Sequence, residues 1–291
     1  MSISPGLTSM HFKNLLLFLE VGQPFEPQLN MAAELAAVDG AALTGACACR
    51  APALEISDGY ALGPHAVSEV LARLETQVVQ ATAQIETAFQ AAVMRHVLDG
   101  HWAPPSANPL AEDLALRARC FDLAIVGRPP GRDRTPYRLA ELITLESGTP
   151  CLLLPPEPPP QLAIDHVVVA WNGSREAKRA LQDGLGFLKR AERVTLVMLG
   201  GEPTTPQAMT SQTVQVDVLN HLTRHGIKAQ LKAIDAPHGD AGAALLDYCA
   251  KNAADLLVMG AYGHSRAREL ILGGVTRKVL SEAALPVLLS H

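Results

Sequence analysis

The chain lacks any apolar run approaching the ~20 residues that a helix needs to cross a bilayer. It lacks a basic excess too: Lys+Arg 24 against Asp+Glu 29 leaves a net charge of −5 and a pI near 6.1. Nonspecific nucleic-acid binding needs a basic face, and none is supplied. No Lys/Arg cluster flanks an apolar face, so a membrane-surface role is equally unsupported. Residues Met1 to Met10 show neither a basic stretch nor an apolar core, so a signal peptide is not expected there. The expectation is a cytoplasmic protein without a nucleic-acid or membrane partner.

Cysteine is scarce and unpaired in pattern. The five residues, Cys47, Cys49, Cys120, Cys151 and Cys249, include no Cys-x(2–4)-Cys pair of the kind structural zinc uses. They read as buried thiols in a reducing compartment, with no metal site. Catalytic signatures are missing as well. The chain holds no Gly-x4-Gly-Lys-Ser/Thr loop and no Gly-x-Ser-x-Gly elbow. The dinucleotide fingerprint follows the first strand of neither half, and no Ser/His/Asp or Cys/His set can be assembled. No catalytic residue is therefore predicted.

What is present is a core and a repeat. The 291 residues argue for two domains, and 48% hydrophobic with 18% charged residues excludes a disordered chain. Asp122-Leu-Ala-Ile-Val-Gly127 leads to Pro150-Cys-Leu-Leu-Leu154, and Asp255-Leu-Leu-Val-Met-Gly260 leads to Pro286-Val-Leu-Leu-Ser290. Leu15 to Glu20 likewise mirrors Val167 to Asn172. The first copy is longer in its middle by about 19 residues, and Pro155 to Pro160, five prolines in six positions, separates the copies. The boundaries predicted are 1–154, a linker over 155–161, and 162–291.

In the second copy the pattern predicts strands at 166–171, 193–199, 227–234, 255–259 and 286–290. Helices fit at 174–190, 206–225, 239–252 and 273–283. Val, Ile and Leu fill these strands almost without alternation, as when helices cover both faces of a parallel sheet. The first copy follows the same plan, with a weak third strand within 96–103. Its long second helix, at about 65–98, carries the stripe Val67, Val70, Leu71, Leu74, Val78, which reads as core. The fold class is thus α/β: two tandem, doubly wound, open parallel five-stranded sheets of Rossmann-like type. Such sheets bind ligands at the carboxyl ends of their strands, which directs attention to the loops after Ala170 and Met259.

The second of these loops runs Gly260-Ala-Tyr-Gly263-His264-Ser-Arg266, and Gly273-Gly274-Val275-Thr276 opens the last helix. Two glycines three apart permit a tight turn and close backbone approach. Free N–H groups of Gly274, Val275 and Thr276 would face an anion at the positive end of that helix, with His264 and Arg266 as nearby cations. Asn172 and Ser174 are both good N-caps, and either can start the helix after the first strand. In the first copy, Gly127 is followed by Arg128-Pro-Pro-Gly131, and prolines at 129, 130 and 136 remove donors that a phosphate cradle would use. Arg128, Arg132 and Arg134 there read as a solvated loop.

On these residues the chain resembles the universal stress protein family in its tandem form. The family's nucleotide-binding members carry Gly-x2-Gly-x9-Gly followed by Ser or Thr. Gly260, Gly263 and Gly273 match in spacing, while Gly274 replaces the hydroxyl residue. Val168-Val-Ala170-Trp-Asn172-Gly-Ser174 is similar to the family's Val-Ala-x-Asp-Gly-Ser, whose Asp contacts adenosine, with Asn172 standing in its place. The resemblance implies an adenine nucleotide, ATP ahead of AMP or ADP, bound by the second domain, with Mg2+ accompanying the triphosphate. The binding set implied is Ala170, Asn172, Gly260, Gly263, His264, Arg266, Gly273, Gly274, Val275 and Thr276. It also implies intramolecular pairing of the two domains as a pseudo-dimer, further homodimerisation being open, and sensing with at most slow ATP hydrolysis. Two other readings stand beside it. One is a nucleotide-free interaction scaffold; the other is a small-metabolite binder using an apolar pocket beneath the long helix of the first domain.

Overall fold

The computed structural model describes residues 12–48, 64–103, 111–130, 138–159, 163–200, 212–236, 240–261 and 274–291. In the first half the strands are β1 (Asn14–Glu20), β2 (Ala42–Ala48), β3 (Gly100–Ala103), β4 (Leu123–Gly127) and β5 (Cys151–Leu154). Helices α1 (Glu26–Asp39), α2 (Pro64–His96), α3 (Ala111–Ala118) and α4 (Arg138–Glu146) lie between them. The second half repeats this order with β6 (His166–Ala170), β7 (Arg193–Gly200), β8 (Ala229–Asp235), β9 (Leu256–Gly260) and β10 (Val287–Ser290). Its helices are α5 (Arg175–Asp183), α6 (Leu185–Arg190), α7 (Gln212–Arg224), α8 (Ala241–Lys251) and α9 (Gly274–Glu282).

The strands form one ten-stranded sheet in the order β3-β2-β1-β4-β5-β10-β9-β6-β7-β8. Each half is parallel and doubly wound, as its sequence pattern predicts. The halves meet where β5 and β10 pair antiparallel, with Leu152 opposite Leu288. This seam covers an edge that each half would otherwise expose. The interior strands are buried on both faces: Leu15, Leu16 and Leu17 are all fully buried, as are Val167, Val168 and Val169. One face is sealed by α1, α2, α5, α6 and α7, the other by α3, α4, α8 and α9, and both core layers run across the seam.

Side chains also tie the halves together. Arg128, at the end of β4, donates to Ser281 O and, at 2.7 Å, to Ala283 O at the C-terminus of α9. Arg179 of α5 reaches back to Gly148 O beyond α4 at 3.3 Å. Buried Asp39 at the end of α1 lies 3.7 Å from Arg190 at the end of α6, and Phe12 packs on Phe187 with ring centroids 5.6 Å apart. Arg128 is thus a half-buried clasp between the halves rather than part of a solvated loop; Arg132 and Arg134 lie outside the described residues.

Two further expectations need correction. The helix drawn over 174–190 is broken at Gly184, where a Cβ would press on Ala180 O at 3.1 Å and on Val258 and Leu288 at 3.2 and 3.4 Å. The stripe on α2 is not core along its whole length. Val70, Leu74 and Val78 are only half-buried, and full burial begins near Thr82 and Ile85; the side chains of Val67 and Leu71 lie outside the described residues. Length explains this. A helix of 33 residues spans about 50 Å, whereas the 7 and 4 residues of β2 and β3 reach about 23 and 13 Å. The N-terminal part of α2 therefore overhangs the sheet.

Candidate functional site

Strand order places the switch point of the second half between β6 and β9, where Ala170 lies opposite Met259. At the end of β6, Trp171 N–H still bonds to Val197 O at 2.8 Å, and its indole is buried in the core. Its Nε1 has no hydrogen-bond partner among the described residues. The chain then turns: Asn172 is exposed, its Oδ1 accepts the Ser174 N–H at 3.0 Å, and Gly173 adopts φ +71°, which favours glycine. Ser174 is the N-cap of α5, its Oγ accepting the Ala177 N–H at 3.1 Å. Of the two capping candidates the structure therefore selects Ser174, and Asn172 shapes the turn before it.

Gly260 at the end of β9 has a packing reason. A Cβ there would lie 2.4 Å from the carbonyl carbon of Glu176 and 2.5 Å from Ala177 N, both backbone atoms of α5. The glycine lets the first turn of α5 sit directly on the strand end. Glu176 in that turn is buried. Burial would raise its carboxyl pKa, but its own N–H, the Ser174 hydroxyl and the charges of Arg175 and His291 outweigh this and hold it low. Sequence reasoning passed over this carboxylate; the available signal was an acid in the first turn after an N-cap serine. Beyond Gly260, Ala261 N–H bonds to Ser290 O at 2.8 Å, and the His291 ring lies 3.0 Å from Ala261 O.

At the start of α9, Gly274 is exposed and a Cβ on it would meet nothing within 4 Å. Val275 and Ala170 pack, both half-buried, on the same core layer, and Thr276 is buried. The first turn of α9 thus belongs to the same end of the sheet as the β6 turn. Gly263, His264, Arg266 and Gly273 lie outside the described residues, as does Tyr262. Six of the ten residues implied by the resemblance, Ala170, Asn172, Gly260, Gly274, Val275 and Thr276, are therefore placed.

The equivalent crevice of the first half lies between β1 and β4. There Arg128 leaves β4 for α9 of the other half, and its N–H is taken by Leu154 O at 2.9 Å. Beneath α2 the space is filled by Ile85, Phe89 and Trp102, and Cβ atoms on Gly45 or Gly100 would collide with Phe89 or Val93. Among the described residues, one depression on this helix is open to solvent and lined by α2 alone.

Residues 163–291 match the family model described as "Universal stress protein family". A universal stress protein of Synechocystis sp. is 34% identical over 140 residues, covering 48% of this chain and 46% of that protein, so the match spans about half of each. Among solved structures, a universal stress protein from Archaeoglobus fulgidus DSM 4304 is similar with a TM-score of 0.64 at 16% identity, over 94% of this chain and 97% of that one. A protein of unknown function from Pseudomonas aeruginosa PAO1 gives 0.57 at 13% identity, over 97% and 93%. At these identities the structural likeness shows the fold, and it does so across both halves.

Proposed function

We propose that the second half of the chain, whose residues 163–291 match the universal stress protein family model, binds an adenine nucleotide, ATP ahead of AMP or ADP. The observation that supports this reading is that Ala170 at the end of β6 and Val275 in the first turn of α9 pack on one core layer, with Gly260 ending the strand beside β6. Phosphates would meet the N–H groups of Gly274, Val275 and Thr276 at the positive end of α9. Gly263, His264, Arg266 and Gly273 would complete the cradle from the loop between. Ala170 and Asn172 would flank the nucleoside. Among the described residues no group of three His, Cys, Asp or Glu could hold a metal ion, so Mg2+ would be held chiefly by the phosphate oxygens. The role proposed is nucleotide sensing in the cytoplasm, with turnover at most slow.

The test is identification by mass spectrometry of small molecules released on denaturing the purified protein, followed by calorimetric titration with Mg-ATP. Gly274→Asp is the informative variant. Its side chain enters open space and an acid suits a first helical turn, so the fold tolerates it while the phosphates are repelled. Binding weakened by roughly tenfold or more in the variant supports the reading. No binding by the wild type at millimolar ATP removes it. The nucleotide-free scaffold would then stand, a reading favoured by the engagement of Asn172 Oδ1 with the Ser174 N–H.

A further inference from the structure

A further cleft lies away from the residues placed at the proposed nucleotide site. It is a space of about 590 Å3 between the two halves, bounded by α5 and α6 on one side and by the residues that lead into β1, β4 and β5 on the other. Its apolar surface comes from Phe12, Phe121, Pro150 and Leu185. Arg119, Arg179, Lys189 and His225 surround that surface with cationic or imidazole groups. The size falls in the range of small-molecule sites, which favour the junctions between domains.

The charge balance at the rim decides the ligand class. Asp183 is held by Arg179, whose Nε lies 2.9 and 3.1 Å from its two carboxylate oxygens. Asp122 Oδ2 already accepts the N–H groups of Lys13 at 2.7 Å and Asn14 at 3.0 Å. Arg119 donates through Nε and Nη2 to the carbonyl of Glu146, a neutral acceptor and not a carboxylate. Half-buried Lys189 has no hydrogen-bond or ion-pair partner among the described residues. Backbone N–H groups do not neutralise Asp122, so three cations face two carboxylates around a patch of two phenylalanines, a proline and a leucine, and neither Lys189 nor Arg119 is bound to either carboxylate.

We propose that this cleft is a second binding site, for a small amphipathic anion with an aromatic or aliphatic body. The body would lie on Phe12, Phe121 and Leu185, and the acid group would reach Lys189 and Arg119. A ligand seated there touches both halves, so its binding would strengthen their association by mass action. None of the residues placed in the nucleotide site lines this cleft, and the inference does not depend on nucleotide binding.

The test uses the full chain with 8-anilinonaphthalene-1-sulfonate, an aromatic sulfonate, as fluorescent probe. Octanoate and octylammonium, matched in tail and opposite in charge, serve as competitors. The expected result is saturable one-to-one binding, displaced by octanoate and not by octylammonium. Lys189→Glu should weaken it by roughly tenfold or more, and Lys189→Met, which keeps the apolar stem, by less. Circular dichroism should show both variants folded, because Lys189 holds no partner among the described residues. Gly274→Asp should leave probe binding unchanged, which separates this site from the nucleotide site. Equal displacement by the two competitors, binding unaltered in Lys189→Glu, or loss in Gly274→Asp would each overturn the proposal.

Discussion

Replacing Arg128 by alanine should loosen the junction between the halves and free the last helix. Its guanidinium donates to Ser281 O and Ala283 O, two carbonyls that the end of α9 leaves without intrahelical partners. Hydrogen bonds from a charged donor contribute about 1.5–3 kcal/mol, and a cation at a helix C-terminus about 0.3–1 kcal/mol. Because the site is half-buried and water can replace part of the interaction, the net loss should be about 2–3 kcal/mol. Burial lowers the pKa of Arg128 while the nearby Glu282 raises it, and the group stays charged at neutral pH. Urea unfolding followed by circular dichroism would measure the loss. Amide exchange in 274–282 should quicken by roughly thirtyfold or more, since about 1.4 kcal/mol is a factor of ten. The conservative change Arg128→Lys should retain less than half of the contribution, because an ammonium cannot fork between two carbonyls. A loss below about 0.5 kcal/mol in Arg128→Ala, with exchange in α9 unchanged, would refute the clasp.

Packing and the titrating groups supply three shorter predictions. Gly260→Ala forces a Cβ against α5 backbone and should cost about 3 kcal/mol, whereas Gly274→Ala, with nothing within 4 Å, should be neutral or stabilising by up to about 1 kcal/mol. Equal shifts in their thermal melts would contradict this account. Burial, opposed by the Asn252 carbonyl, reinforced by Arg193 and opposed by Asp255, lowers the pKa of His166 from its ordinary value of 6.5. The unfolded chain then binds the proton more readily. Stability is full above about pH 6.5 and should decline as pH falls through the depressed value, less steeply in His166→Gln, as urea midpoints across that window would show. Burial pushes the thiols of Cys151 and Cys249 up to about 12, so alkylation of the native protein at about pH 8 should reach exposed Cys120 before either of them, and peptide mapping that found Cys151 modified equally fast would be contrary.

The repeat and the strands were legible in the sequence because burial on both sheet faces removes alternation. Leu15 to Leu19 and Val167 to Val169 then read as unbroken apolar runs. The overhang of α2 was not legible, since Val70, Leu74 and Val78 have the same spacing whether a sheet lies beneath them or not. The break at Gly184 depends on Val258 and Leu288, which no local pattern brings near. Arg128 was misread for a similar reason. An arginine before two prolines suggests a solvated loop, and its acceptors are carbonyls 153 and 155 residues away. At the candidate site, the sequence offered Asn172 and Ser174 as equal caps. Only the backbone path, with Gly173 at positive φ, decides between them.

The two halves use one structural position in opposite ways. At the end of β9, Gly260 lets α5 sit close, and the chain continues into the glycine loop and α9. At the end of β4, the atoms nearest a Cβ on Gly127 belong to the flexible side chain of Gln28, and the chain continues into Arg128. The guanidinium grips the C-terminus of α9, the helix whose other end carries Gly274, Val275 and Thr276. The first half thus supplies an arginine that fixes the helix on which the phosphate contacts proposed for the second half lie. A nine-residue helix about 13 Å long transmits a tilt at one end directly to the other. The two copies therefore divide one helix between them: the first half holds its C-terminus, and the second carries the N-terminus at which we propose that phosphates bind.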